Sequence, residues 1–289
     1  MSDVVVTGSR GLLGATLMRV LPEAGFRVVP LTGDIRDAAA VATQIAQAAP
    51  AYVVHAAAMT YVGACERQPQ QALAVNGGGT KNVVAAAQAA GAPILYISTA
   101  SVFKGDHGNY REEDTPEPTN AYNQSKREGE KYTLDYELGM VLRFNMIGIH
   151  PDGSRGQNFF EWLLDGFRAN KDMTLFTDAR INPLSNWTIA TLIAKILTRE
   201  GLDKILHIGS RDLKSKAAIG ELARARFPGY RGALRLGSVD DIADGLLRPK
   251  QMWLNIDKAA VLGPMPTVAQ ELVTIFALSS VLEPLLASK

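Results

Sequence analysis

Short apolar, β-branched runs alternate with longer Ala-rich stretches of helical periodicity through the first half of the chain. Val4-Val5-Val6, Arg27 to Leu31, Tyr52-Val53-Val54-His55, Ile94-Leu95-Tyr96-Ile97 and Met140-Val141-Leu142-Arg143 read as strands. Gly11 to Glu23, Asp37 to Ala49, Gly79 to Ala90 and Ala121 to Glu137 read as the intervening helices. Alternation of this kind predicts a parallel sheet with helices on both faces. Right-handed crossovers then give an α/β, doubly wound, Rossmann-type sheet, with its ligand site beyond the carboxyl ends of the strands.

The second half is less regular. Ile147 to Gly156 reads as a loop. Helical patterns follow at Phe159 to Arg168, Trp187 to Arg199, Ser215 to Phe227 and Thr267 to Leu278, with short strands at Thr174 to Phe176 and Ile205 to Ile208. The expected division is a dinucleotide-binding domain over 1–143 and a smaller C-terminal substrate lobe over 144–289, with a soft boundary across which segments can interleave. No repeat or low-complexity tract interrupts it.

Composition narrows the class. The 289 residues, 47% hydrophobic and 20% charged, suffice for a sizeable core. A net charge of +1 without runs of like charge gives no concentrated basic face, so neither nucleic acid nor an acidic membrane surface is expected as a partner. No apolar run approaches the ~20 residues that span a bilayer, and no basic leader precedes an apolar segment. Cys65 is the sole cysteine, so no intrachain disulfide forms. A cytoplasmic protein is the expectation. The histidines at 55, 107, 150 and 207 lack ligand spacing, and no metal is expected.

Two motifs carry chemistry. Thr7-Gly8-Ser9-Arg10-Gly11-Leu12-Leu13-Gly14 joins the first strand to the first helix. Glycines there permit a tight turn and close approach of backbone to a pyrophosphate, which then meets the free N–H groups and positive dipole of the helix. Gly8, Ser9, Arg10, Gly11, Leu12 and Leu13 are the candidate contacts, and the small residues Ala56, Ala57 and Ala58 let the third strand's end lie against the cofactor. Leu31-Thr32 offers no acid for a ribose 2′-hydroxyl, and Arg10 reads either as a contact for a 2′-phosphate or as a solvated charge. The cofactor is therefore NADP or NAD, with NADP favoured.

The second motif is Tyr122-Asn123-Gln124-Ser125-Lys126, with Tyr and Lys on one helix face at i and i+4. Carbonyl reduction needs a proton on oxygen. A phenol of pKa ~10 exchanges it more readily beside an ammonium, which favours the phenolate. Tyr122 is then the acid in reduction and the base in oxidation. Ser98-Thr99 ends the fourth strand, and Thr99 is placed to hydrogen-bond the substrate oxygen, with Ser98 and Ser101 as rivals.

These motifs, with 23 positions from Thr99 to Tyr122, resemble the extended short-chain dehydrogenases. That resemblance implies an adenine contact from Asp34 and Ile35 in Gly33-Asp34-Ile35-Arg36-Asp37. The alternative for Asp34 is a helix N-terminal acid, a role that Asp37 fits better. It also implies that Asn76 positions the lysine through water, alongside a helix-cap alternative. His55 stands where Asn is frequent and reads as structural.

Ile97 to Gly105, Ala121 to Glu130 and Arg248-Pro249-Lys250 with Leu254-Asn255 resemble the dTDP-4-dehydrorhamnose reductase family over essentially the full length. This implies NAD(P)H-dependent reduction of a keto group on a nucleotide-linked deoxysugar, a homodimer, and substrate contacts from Ser101, Asn145, Asn158 and Arg248. Asn158 also fits a helix cap, Arg248 a surface ion pair, and Trp187 and Trp253 core filling as well as base stacking. Ala100-Ser101 replaces the family's usual Asp-Tyr, while Arg143 to Pro151 looks more like sugar-nucleotide epimerases. An epimerase with retained NAD and a non-catalytic cofactor-binding regulatory subunit are the rival readings.

Overall fold

A computed structural model describes residues 1–153, 158–242 and 247–278. Positions 154–156 of the predicted Ile147–Gly156 loop lie outside the described residues.

The first half contains β1 (Ser2–Thr7), α1 (Leu12–Glu23), β2 (Phe26–Pro30), α2 (Ala38–Ala48), β3 (Tyr52–His55), α3 (Val62–Arg67), α4 (Pro69–Leu73), α5 (Thr80–Ala89), β4 (Ile94–Ile97), α6 (Ala121–Asp135) and β5 (Gly139–Arg143). There follow β6 (Met146–Ile147), α7 (Phe159–Arg168), β7 (Met173–Phe176), β8 (Arg180–Ile181), β9 (Leu184–Ser185), α8 (Asn186–Leu197), β10 (Ile205–His207), β11 (Lys214–Ser215), α9 (Lys216–Arg224), β12 (Leu234–Gly237) and α10 (Val268–Leu278).

The central sheet has the order β2-β1-β3-β4-β5-β10, and every pairing in it is parallel. The expected doubly wound α/β architecture is present. The chain leaves β1 to one side for β2 and returns to the other side for β3, so the strand order reverses between β1 and β3. A crevice opens at such a reversal, because the two loops leave in opposite directions. The strand expected at 205–208 forms as β10, but it pairs with β5 at the edge of this sheet rather than within the lobe. That parallel pairing bridges residues far apart in sequence, so no local pattern announces it.

Apolar residues on the two sheet faces make two cores. Leu13, Leu17 and Leu21 of α1 meet Ile189, Ile193 and Ile196 of α8 on one face. On the other, Val41 and Ile45 of α2 meet Val83 and Ala87 of α5. A third core lies among α7, α9 and α10, where Phe160, Leu164, Phe167, Ile219, Leu272 and Phe276 pack. Val102, Phe103 and Tyr110, from the long β4–α6 connection, enter this third core, so chain from the first half helps build the lobe.

Two features escape the periodicity. The short helices α3 and α4 span 6 and 5 residues, too few for a pattern. A π-helical turn at Ala74–Gly79 leads into α5. No described helix is long and apolar enough to cross a membrane.

Candidate active site

A cleft of about 1970 Å³ runs over the carboxyl ends of β1 to β5 and under the lobe. Typical single-ligand pockets hold roughly 300–1,000 Å³, so this one has room for two large ligands side by side. Its lining includes Gly8, Ser9, Arg10, Gly11, Leu12 and Leu13 of the first loop, and Asp34, Ile35, Ala56, Ala57 and Ala58 beyond. Thr99, Tyr122, Lys126, Asn145, Asn158 and Arg248 complete the predicted set that it brings together.

The glycine loop is shaped by close approach. Gly8 has φ +68°, and a Cβ there would come within 2.7 Å of the Ala57 backbone. A Cβ on Gly14 would lie 2.0 Å from the Gly8 carbonyl oxygen. No side chain caps the start of α1 at Gly11. The first-turn N–H groups therefore meet the cleft in a cradle that fits a dinucleotide pyrophosphate.

Behind the loop, Thr80 Oγ1 donates to the Asn76 carbonyl at 2.6 Å, and so accepts from His55 Nε2 at 2.9 Å. His55 Nδ1 then accepts from Thr7 Oγ1 at 2.6 Å, and Thr7 Oγ1 accepts from the Ala57 N–H at 3.0 Å. One neutral tautomer satisfies every bond. Burial, with a smaller push from the Lys126 charge, lowers the imidazole to about 3. His55 is structural, in line with its sequence reading.

At the end of the cleft beyond β2, the Arg36 guanidinium beside Asp34 holds its exposed carboxyl at about 2. Asp37, not Asp34, caps a helix, accepting from the Ala40 N–H of α2 at 3.0 Å. Thr32, at the end of β2, is held by Gln44, which accepts from the Thr32 N–H at 2.9 Å and donates to its carbonyl at the same distance. His150 Nε2 reaches the Arg10 carbonyl at 3.0 Å, tying the glycine loop to the segment after β6.

The predicted catalytic side chains sit on α6 and just beyond the end of β4. Asn120 caps α6 by accepting from the Asn123 N–H at 2.9 Å, which sets Tyr122 and Lys126 in the first turns. Lys126 is 3% exposed, donates from Nζ to the Ile97 carbonyl at 2.6 Å and lies 4.0 Å from the Tyr96 ring centre. Burial lowers its ammonium to about 7, and Glu130 pulls in the opposite direction. Tyr122 departs from expectation: burial, and then Cys65, push its phenol above the ordinary value, while a hydrogen bond with Thr99 pulls it down. The lowering expected from Lys126 is not seen, because the ammonium is directed to Ile97 and Tyr96.

Thr99 is separated from its rivals by its partners. Thr99 Oγ1 accepts from the Ser101 N–H at 3.1 Å, which leaves its proton to donate. Ser98 Oγ instead donates to Glu130 at 2.6 Å. Ser101 does not line the cleft but stands in the 3₁₀ turn Ala100–Val102, and Ala100 is buried in the lobe core.

Asn76 also stands off the cleft. Its Oδ1 accepts from the Met59 N–H, and its Nδ2 donates to the Met59 carbonyl and to Ser125 Oγ, so its amide braces the scaffold behind α6. Asn158 caps α7, accepting from Phe160 and Glu161 N–H at 2.9 and 3.0 Å. Asn145 Nδ2 donates to the Met252 carbonyl at 2.6 Å. Trp187 is buried among the core residues, and Trp253 packs over Gly108. The sequence reading missed Thr60, Tyr61, Glu66 and Arg67, which line the cleft from the loop and helix after β3.

A reversal-point cleft, a glycine cradle and a Thr-Tyr-Lys set define a nicotinamide-dependent oxidoreductase of the extended short-chain dehydrogenase class. The sequence matches the RmlD substrate binding domain family over residues 1–277, and the chain belongs to that family. It is 30% identical to the dTDP-4-keto-6-deoxy-D-glucose reductase of Streptomyces niveus, over 88% of each chain. It is 36% identical to the dTDP-4-dehydrorhamnose reductase of Streptomyces griseus, over 60% of this chain and 58% of that one. In fold it resembles the dTDP-4-dehydrorhamnose reductase of Bacillus anthracis solved with NADP, with a TM-score of 0.87 at 24% identity over 96% of this chain and 99% of that one.

Proposed function

We propose that this protein reduces a keto group on a nucleotide-linked deoxysugar, with NADPH as the preferred reductant. The observation that carries the reading is the convergence of Thr99, Tyr122 and Lys126 on one cleft with the glycine cradle. Bound against that cradle, a reduced nicotinamide supplies the hydride for the carbonyl carbon. Tyr122 gives its proton to the carbonyl oxygen. Burial keeps the phenol protonated, so Tyr122 carries the proton that reduction requires. Thr99, with its lone pair taken by Ser101, donates to the same oxygen and stabilises its developing charge. Lys126, one turn along the same helix face from Tyr122, is held in place by the Ile97 carbonyl.

Arg10 on the exposed side of the glycine loop, and the lack of a carboxylate at Leu31-Thr32, support NADP over NAD. Arg248, half-buried at the other end, suits a diphosphate because its planar fork bonds phosphate oxygens bidentately. Asn145 keeps an oxygen for the sugar, whereas Asn158 serves as a cap and Asn76 and Ser101 support from outside the cleft. Residues 184–197 and β10 join the core of the sheet and Val102 to Tyr110 that of the lobe, so a dinucleotide unit over 1–143 and a substrate lobe over 144–289 share segments. A homodimer in the cytoplasm completes the reading, and light scattering on the purified chain checks the former.

The test is a panel of keto-sugar nucleotides, varied in base and sugar, with NADPH or NADH, followed at the nicotinamide absorbance. Oxidation of NADPH with at least one member is expected. A chain that binds NADPH but oxidises it with none of them is not this reductase.

A further inference from the structure

Tyr122, Lys126 and Glu130 recur at every fourth position of α6 and so share one face. Glu130 is fully buried and lies one turn beyond the lysine. Its carboxylate accepts from four donors. Ser98 Oγ gives one bond at 2.6 Å, Arg143 gives two, from Nε at 2.7 Å and Nη2 at 2.8 Å, and Arg127 Nη1 gives one at 2.9 Å. Ser98 is the residue before Thr99 at the end of β4, and Arg143 is the last residue of β5.

Arg143 is itself buried. Its guanidinium lies 5.0 Å from the Phe103 ring centre, and Nη1 reaches His207 Nε2 of β10 at 3.3 Å. His207 Nδ1 donates to the Tyr110 carbonyl at 3.1 Å, so Nε2 is free to accept. A single connected polar network thus joins α6, three strand ends and the β4–α6 connection. Burying such an ion pair is costly, and apolar residues of the same volume are often as stable. What a fork of directional bonds adds is fixed geometry.

We propose that Glu130 is a positioning residue for the reaction, locking α6 to the ends of β4 and β5 so that Tyr122 and Lys126 stay in register with Thr99. The inference rests on the reductase reading above. Thr99 is displaced if Ser98 shifts, and the Ile97 carbonyl that holds Lys126 lies one residue further back on the same strand. Glu130 is also the carboxylate facing Lys126. The other titratable groups around the lysine are Tyr122 on α6, His55 on β3 and Tyr96 on β4, with Cys65 of α3 next to Tyr122 and Arg143 of β5 behind Glu130. Burial pushes the Glu130 carboxyl up, but Arg143, Ser98 and Arg127 outweigh it and keep it charged.

Two full-length variants test the proposal. Ser98→Ala deletes one bond and leaves the buried ion pair whole, and Glu130→Gln keeps the shape but removes the charge. Steady-state kinetics should show kcat down on the order of 10-fold or more in each, with the dissociation constant for NADPH unchanged, because misplacement of reacting groups affects turnover more than binding. Lysine-labelled NMR, with the Lys126 signal assigned by its loss in Lys126→Met, should show the ammonium titrating at lower pH in Glu130→Gln than in wild type. Should the glutamine variant not fold, Ser98→Ala decides through the split between kcat and binding. Wild-type kcat in Ser98→Ala, or an unmoved Lys126 titration in Glu130→Gln, overturns the proposal. If the wild-type chain reduces no keto-sugar nucleotide, the reductase reading fails, and the Lys126 titration still decides for or against Glu130.

Discussion

Three hydroxyls crowd the end of β4, and only their partners tell them apart. Sequence places Ser98, Thr99 and Ser101 within four residues. Geometry gives Ser98 to Glu130 and sets Ser101 off the cleft, which leaves Thr99, hydrogen-bonded to Tyr122, as the hydroxyl proposed to meet the substrate oxygen. Thr99→Val is therefore expected to lower kcat on the order of 100-fold, the cost of one lost donor to a developing oxyanion, while NADPH affinity stays put. Steady-state kinetics with fluorescence titration of the cofactor checks both. Arg10 invites a second substitution. Arg10→Ala should raise KM for NADPH while leaving KM for NADH unchanged, and equal effects on the two cofactors would remove Arg10 from the 2′-phosphate. Asn76 shows where residue-level reading ended: its place in sequence put it at the site, but a π-helical turn and three bonds to Met59 and Ser125 put it behind the site.

Among the elements, the turn from β1 into α1 was the most legible, because Gly8 and Gly14 in it meet steric demands that no other residue meets. Those demands differ. A Cβ on Gly14 would collide with the Gly8 carbonyl at 2.0 Å, whereas one on Gly11 has only a 3.4 Å contact. Gly14→Ala should cost about 1–3 kcal/mol in a denaturant melt and weaken NADPH binding, and Gly11→Ala should melt like wild type. Equal melting of the two variants would contradict the packing described here. The strands and long helices of the first half were legible from hydrophobic period alone. The elements that escaped, α3, α4, β6, β8, β9, β11 and β12, are either too short for a period or defined by a partner distant in sequence.

For the whole molecule, the same polar networks that build the site also set its tolerance of acid. His55 and His207 are both buried as neutral rings, and burial lowers each from 6.5 to about 3, with Lys126 and Arg143 respectively adding to the effect. Between those values the unfolded chain binds more protons than the folded one. Their contribution to stability is thus complete above about pH 6.5 and declines as pH falls towards about 3. Buried Glu112 and Glu271, raised by desolvation, act in the opposite sense. Melting curves of wild type and His55→Asn across this range isolate the histidine, and the variant should lose stability less steeply. How the lobe joins the sheet could not be read in advance, because Phe103, Tyr110 and His207 meet only once the chain has folded.

The central claim is that Tyr122 delivers the proton while the glycine cradle holds the reductant, and that the two tasks are separable. The direct measurement follows the nicotinamide absorbance of wild type and Tyr122→Phe with a keto-sugar nucleotide that the wild type accepts, alongside a binding titration of NADPH. The account predicts one cofactor oxidised per carbonyl reduced by the wild type, and no detectable turnover but unchanged NADPH affinity in the variant. Near-normal turnover by Tyr122→Phe would contradict it.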